Sequence, residues 1–432
     1  MRAHTDQPAC GVGAALAVGL GSIIGGSVFA TMGQAIQGAG SAAPLAFLLG
    51  ALPAYITAYS YTRMAAALPG AGGTTAYFNA AFGGGYLSAS LNLLLVVCYA
   101  GIASLYAGVF GSYVADLLGQ HSASTQRIIS CGGILLVAAA CLSPAALSRR
   151  AQRPLNAVKF LIMGLFICTA LLSPLWNWDN FSPRLAKPAS GVLTTGLTIF
   201  MSYQGFELMA AIRRPFRSPQ RTLPLAMLLC LGGVTLYYCA VAFCTVGNVD
   251  YSTAAQESNY LLSAVARRYM GEGGGLLLCA GAVVAAASAL NADIFSVSRI
   301  PEAMAAEHEL PTYFHPKRPG ARTPGVIFFC SLLIIFVNLL SVQELTAISS
   351  IGFLSIYALA NAAALRITPR QRAAHLGSAL GAATCLAAAI CVSVQTFSGA
   401  EGALLAGVTA CMLTLPFMGQ AVFYLLKRHS AR

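Results

Sequence analysis

The chain has 432 residues, 57% of them hydrophobic and 9% charged, with a formal net charge of +12 and a mean hydropathy of +0.72. Soluble domains carry roughly 25% charged residues, which excludes a soluble globular protein. Strands of a membrane barrel alternate apolar and polar residues; these long apolar runs do not, so the expected class is an all-α polytopic membrane protein.

A helix needs about 20 apolar residues to cross a bilayer. By that ruler, spans fall near 11–33, 42–66, 86–118, 128–147, 155–175, 191–212, 223–247, 274–299, 324–341, 345–366, 376–397 and 402–426. They make about twelve helices in one membrane domain covering 1–432. The first nine residues, MRAHTDQPA, are polar and lead into a long span. They lack the short apolar core and cleavage site of a signal peptide, so the first span is expected to stay in the mature protein.

Span 1 contains GLGSIIGGSVFA, residues 19–30, inside a run with no charged residue from Gly11 to Tyr61. Four glycines and two serines in so short a stretch suit a helix interior poorly. A break is expected, with an inner half-helix ending near Ser22–Ile24 and an outer one starting near Gly25–Ser27. The freed carbonyls suit an ammonium group or cation, and the freed N–H groups suit a carboxylate. An amino acid carries both charges a bond or two apart. A second break is expected in span 6, where SYQGFE sets Gly205 beside Ser202 and Gln204. Span 6 runs opposite to span 1, five spans on, the pattern of an inverted repeat with a site between its halves. Glycine-rich segments also serve as plain helix-packing faces.

The positive charge is distributed by side. With a cytoplasmic N-terminus, Arg63, Arg149, Arg150, Arg153, Arg213, Arg214, Arg217, Arg221, Lys317, Arg318, Arg322, Arg366, Arg370, Arg372, Lys427 and Arg428 fall inside. Arg127, Arg184, Lys187, Arg267 and Arg268 fall outside. This positive-inside bias places both termini in the cytoplasm and accounts for the charge without a nucleic-acid partner. Nearly all thirteen cysteines lie in apolar spans, with no Cys-x-x-Cys pair, and read as small packing residues. The six histidines lie in loops or at ends. No cofactor or metal is expected.

Three ionisable residues remain well inside spans: Lys159, Glu207 and Asp293. An intramembrane charge is costly and is read as functional. Glu207 and Asp293 each precede an arginine, Arg213 or Arg299, by six residues, and Lys159 follows Arg153 by the same interval. At 1.5 Å per residue each lies roughly 9 Å deeper than that arginine, so a common polar interior is expected. The competing reading is a structural pair, such as Lys159 with Asp293, that only holds helices together.

Several segments resemble the amino acid–polyamine–organocation (APC) transporter superfamily. GLGSIIGGSVF resembles its first-helix signature, YTRMAAALPGAGGTTAYFNAAFG its second loop, YQGFELMAAIRRPFRSPQRTLPLAM its sixth-helix segment, and SRIPEAMAAEHELPTYFHPKRPGARTP the loop after its eighth helix. The resemblance implies a five-plus-five inverted repeat, 11–175 against 191–366, with two additional helices at 376–426. It also implies secondary transport of amino acids or amines by alternating access. On that basis Ser22, Ile23, Gly25, Gly26 and Ser27 correspond to the segment that binds the substrate's amino and carboxyl groups, and Met201 and Ser202 to sixth-helix contacts beside Gly205. Glu207 corresponds to a gating or coupling acid. Lys159 is similar to the fifth-helix lysine of proton-coupled, sodium-independent members, with Ser288 as its eighth-helix neighbour.

Three positions depart from the pattern: Gly26–Ser27 in the signature, Arg213–Arg214 where a second glutamate is common, and Asp293 where arginine/agmatine-type antiporters carry tryptophan. A carboxylate there could receive a basic side chain or a second amine. The expected function is therefore amino acid or amine transport across a cell inner membrane, with cationic substrates and proton coupling or exchange as the finer reading. A neutral amino acid permease or exporter is the alternative within the family. A channel or a transporter-like sensor is the alternative outside it. A membrane enzyme would have only Lys159, Glu207 and Asp293 for its chemistry.

Overall fold

The computed structural model describes residues 11–68, 73–142, 147–210, 219–315, 322–368, 372–399 and 401–430. The N-terminal segment 1–10 lies outside the described residues. So do the side chains of Arg149, Arg150, Arg153, Arg213, Arg214, Arg217, Lys317, Arg318, Arg322, Arg370, Arg372 and Arg428, on which much of the charge asymmetry rests. Among the described residues the only β pairing is an isolated bridge between Gly40 and Ala186.

The helices in chain order are α1 (Val12–Ile23), α2 (Ser27–Ala39), α3 (Ala43–Ala67), α4 (Thr74–Phe82), α5 (Tyr86–Leu117), α6 (Ala123–Leu142), α7 (Leu147–Leu171), α8 (Ala189–Thr198), α9 (Pro219–Asn248), α10 (Leu261–Val297), α11 (Arg299–Ala306), α12 (Arg322–Leu339), α13 (Val342–Ile367), α14 (Arg372–Phe397) and α15 (Gly402–Ser430). Among the described residues, eight helical segments are long and apolar enough to cross a membrane. The pair α1 and α2, bent by 53°, makes a ninth. The apolar parts of α7 and α12, Ala157–Leu171 and Thr323–Leu339, are shorter, and α8 runs into an irregular stretch. This is an all-α polytopic membrane protein.

The element bounds follow local chemistry. α13 starts at a capping box: Ser341 Oγ accepts from Glu344 N–H at 3.3 Å and Glu344 Oε2 accepts from Ser341 N–H at 2.7 Å, which satisfies two amides that the first turn leaves free. The fourth span lies five residues earlier than the hydropathy suggests, at Ala123–Leu142. α10 extends upstream of the expected eighth span; a left-handed Gly271 (φ 70°) separates a preceding helix from it. α4 and α11 are short helices in connections that hydropathy alone could not mark.

α5 is central. Its 32 residues extend about 48 Å, well beyond the ~30 Å hydrocarbon core, so it tilts or projects. In its most apolar stretch 83% of residues are buried, against 28% in α15. α15 therefore turns most of its apolar surface outward, as a lipid-facing helix does. Tyr86, at the start of α5, donates to the Phe417 carbonyl at 3.0 Å and meets the Tyr424 ring edge-on at 6.2 Å. The start of α5 and the end of α15 thus share one side, the C-terminal face.

Candidate functional site

The first break lies where the glycines are. α1 ends at Ile23, Ile24 leaves helical geometry (φ −80°, ψ 77°), and α2 begins at Ser27. Space explains the two glycines. A Cβ on Gly25 would stand 3.1 Å from Ala289 Cβ, and one on Gly26 would stand 3.1 Å from the Tyr106 ring and 3.2 Å from Ala286 Cα. The first amides of α2 and last carbonyls of α1 lack helical partners by construction.

The second break follows α8. Residues Ile199–Tyr203 tighten into a 3-10 turn, Gln204 is extended, Gly205 is left-handed at φ 114°, and Phe206–Met209 form another 3-10 turn. Only glycine takes Gly205's conformation without strain. It also packs on the first break, since a Cβ there would come 3.1 Å from the Ser22 carbonyl carbon.

A tyrosine joins the two breaks. Tyr238 of α9 places its hydroxyl 2.9 Å from Ser27 Oγ, 3.2 Å from the Ile23 carbonyl and 3.1 Å from the Ser202 carbonyl. One carbonyl from each broken span thus lies within reach of its single proton. Ser202 Oγ in turn donates to Thr31 Oγ1 at 3.0 Å, and the Met201 amide donates to Ser350 Oγ at 3.2 Å.

Below the breaks is a cavity of about 430 Å³, lined by Ser22, Tyr99, Tyr106, Lys159, Gln204, Glu207, Ser288 and Asp293 among others. That volume is in the usual range for small-molecule sites, about 300–1,000 Å³. Gly73, Thr74 and Ile300 also line it, carrying it towards the connections beside α4 and α11. On the opposite side polar side chains link α2 to α13 and to the segment before α10. Gln34 of α2 donates to Thr346 Oγ1 at 2.7 Å, Gln37 to the Ala255 carbonyl at 3.1 Å, and Gln343 to Gln37 Oε1 at 3.4 Å.

The two carboxylates differ. Glu207 accepts four hydrogen bonds: from the Tyr99 hydroxyl (3.0 Å), Gln204 Nε2 (3.0 Å), the Gly205 amide (2.9 Å) and the Tyr357 hydroxyl (2.8 Å). A carboxylate has about four acceptor sites, so its capacity is filled by α5, α13 and its own break. Asp293 lines the same cavity, and its Oδ2, shielded from solvent, has no hydrogen-bond partner.

Residues 11–399 match the family model described as amino acid permease. The chain belongs to the amino acid permease family. That is a family of transporters, so the permease is not an enzyme. It is 27% identical to the inner membrane transport protein YbaT of Escherichia coli over 355 residues, 82% of each chain. It is 28% identical to cationic amino acid transporter 5 of Arabidopsis thaliana, covering 76% of this chain and 61% of that one. A methylthioribose transporter of Bacillus subtilis is 23% identical over 71% of this chain and 69% of its own. The membership and the apolar helices make the permease a multi-pass membrane protein of amino acid transport.

Of the residues singled out in the permease sequence, Ser22, Lys159, Glu207, Ser288 and Asp293 line the cavity. Lys159, Glu207 and Asp293 thus line one cavity. Ile23, Gly25, Gly26, Ser27, Met201, Ser202 and Gly205 form the breaks rather than the cavity wall. Sequence reasoning missed Tyr99, Tyr106, Tyr238 and Tyr357. The spacing of Tyr99 and Tyr106, seven residues or two turns, sets both on one face of α5 and was a readable signal. For Tyr238 and Tyr357, polar tips in apolar helices, the sequence offered none.

Proposed function

We propose that the permease is a secondary transporter of cationic amino acids or amines that works by alternating access around the two broken spans. One observation carries the substrate class. Glu207 has no acceptor capacity left for a ligand, whereas Asp293 has an unpartnered oxygen in the same cavity. A carboxylate there is expensive until something positive meets it. The substrate's α-amino and carboxyl groups are assigned to the first break, Ser22–Ser27, which reaches the cavity wall at Ser22, with Met201, Ser202 and Gly205 shaping the second break behind it, and its distal cation to Asp293. The similarity to a cationic amino acid transporter is consistent with this.

Lys159 and Ser288 share the cavity wall, and we assign Lys159 the coupling role: an ammonium that loads and releases a proton in place of a sodium ion. Glu207 is assigned to gating, through the helices it ties. In this reading 11–175 and 191–366 are the inverted repeats and 376–426 an addition. The C-terminal face is cytoplasmic in an inner membrane, and the conformation described is open inward. Exchange of substrates is an alternative coupling mode.

The test is a competition series in proteoliposomes, with lysine, arginine and diamines against leucine, alanine and serine. Asp293→Asn should weaken basic ligands by the ~2–5 kcal/mol of a lost desolvated charge contact, and neutral ligands far less. Neutral amino acids outcompeting basic ones on the wild type would instead favour a neutral permease. Binding without flux would favour a sensor.

A further inference from the structure

On the face opposite the C-terminal one, α7 and α9 end side by side. Asn248 closes α9, and its Nδ2 donates to the Ala170 carbonyl of α7 at 3.2 Å and to the Cys244 carbonyl one turn back at 2.9 Å. The Asn177 amide, in the segment after α7, donates to the Gly247 carbonyl at 2.8 Å. A cavity of about 410 Å³ opens here, lined by Leu175, Asn177, Asn180, Asn248, Asp250 and Arg268 among others. It shares no lining residue with the transport cavity. Arg267, beside Arg268 in the chain, pairs with Asp116 at the end of α5 at 3.2 Å. That contact fixes the face, because α5 starts on the C-terminal one.

Asn248 is only 6% exposed. Its Nδ2 is spent on two carbonyls, which fixes how the amide is turned, and its Oδ1 is shielded from solvent with no hydrogen-bond partner. A buried acceptor left unmet is costly. Several donors that line the cavity are committed elsewhere. Asn180 Nδ2 donates to the Val246 and Val249 carbonyls, each at 2.9 Å. The Ser252 hydroxyl and amide both go to Asp250 Oδ1, at 2.6 and 2.9 Å. Arg268 is held between Asp250 at 3.3 Å and Glu257 at 3.9 Å. Two carboxylates and one guanidinium leave this corner with one net negative charge, so the missing donor is best supplied by a cation that carries N–H groups.

The rim is apolar. Leu171, Leu172, Leu175 and Trp178 are all exposed. Trp178 belongs to an aromatic cluster with Trp176 at 5.4 Å and Phe181 at 5.7 Å between ring centroids, and Phe181 lies 4.8 Å from Phe243 of α9. Tryptophans at the end of an apolar span mark the boundary between hydrocarbon and water. The volume far exceeds what the one water that could serve Asn248 would need.

We propose that this cavity binds the headgroup of an ammonium-bearing phospholipid, phosphatidylethanolamine, its ammonium donating to Asn248 Oδ1 and its phosphate meeting Arg268. A free phosphoethanolamine carries the same two charges, but it has no acyl chains to lie along the exposed leucines and Trp178. A bound headgroup braces α7, which carries Lys159, against α9, which carries Tyr238. The site is separate from the transport reading and does not rest on it.

The experiment is lipid titration of the purified, delipidated full chain, read by native mass spectrometry. The probes are phosphatidylethanolamine, phosphatidylcholine, phosphatidylglycerol and soluble phosphoethanolamine. Phosphatidylcholine keeps both charges but has no N–H to donate. The wild type should bind phosphatidylethanolamine about tenfold more tightly than phosphatidylcholine, the effect of one hydrogen bond to a charged group. Asn248→Leu should level the two lipids, and Asn248→Asp, which keeps an acceptor, should preserve the preference. Arg268→Gln should weaken both lipids alike. Equal binding of the two lipids by the wild type would mean that water serves Oδ1 and would overturn the proposal. So would an undiminished preference in Asn248→Leu or, should that variant not fold, a lost preference in Asn248→Asp. Tighter binding of phosphatidylglycerol would show an anion site instead. Displacement of the lipid by an equal concentration of phosphoethanolamine would overturn the lipid as the source.

Discussion

Gly205 sits on Ser22: a Cβ added to the glycine would lie 3.1 Å from the serine's carbonyl carbon and 3.2 Å from its Cβ. The breaks of the first and sixth spans are therefore one packed unit, and motion of either half-helix is felt by the other.

Gly205→Ala tests that unit. The new methyl group meets Ser22, and the backbone at φ 114° costs a non-glycine residue about 1–2 kcal/mol. The expected outcome is loss of the thermal shift that lysine or arginine gives, in protein that still elutes as a single species. A full ligand-induced shift in Gly205→Ala would show that the two breaks need not touch.

Tyr238→Phe keeps the ring among Phe47 and Tyr203, at centroid distances of 5.6 and 5.5 Å, and removes only the hydroxyl. Hydrogen bonds of this kind contribute about 0.5–1.5 kcal/mol each, so the fall in Tm should be small. Exchange should fall more, by roughly tenfold for ~1.4 kcal/mol of lost alignment between the breaks. Initial rates of counterflow measure it, and an unchanged rate would remove Tyr238 from the mechanism.

Glu207→Gln and Asp293→Asn should behave differently. A glutamine at 207 presents an N–H₂ group to hydroxyl, amide and backbone donors that now bond a carboxylate. Each donor left unsatisfied costs about 1–3 kcal/mol. The expectation is a lower Tm and equal losses for basic and neutral substrates. Asp293→Asn should spare stability and change the ranking of ligands. A ranking changed by Glu207→Gln instead would move the specificity role to Glu207.

Lys159 is buried in the cavity wall. If its ammonium replaces a sodium ion, uptake should be the same in sodium and choline buffers and should vary with pH. Lys159→Ala should flatten that pH profile while leaving some exchange. Strict sodium dependence in the wild type would rule out the assignment.

The sequence by itself determined the membrane class and the position of the first break. Bilayer thickness imposes a length on each apolar run, and four glycines in Gly19–Gly26 depress helix stability locally whatever surrounds them. It also marked Lys159, Glu207 and Asp293, because a charge in an apolar run is conspicuous without any contact being known. Only the tertiary structure decided how those charges differ. Glu207 and Asp293 are the same chemistry in sequence, yet Tyr99 and Tyr357, on α5 and α13, join Gln204 and Gly205 in filling the acceptor sites of one, while Oδ2 of the other stays unpartnered. A tyrosine in an apolar helix reads as ordinary core until its hydroxyl finds a partner more than a hundred residues away. Hydrophobic periodicity acts along the chain; hydrogen-bond satisfaction is settled between helices.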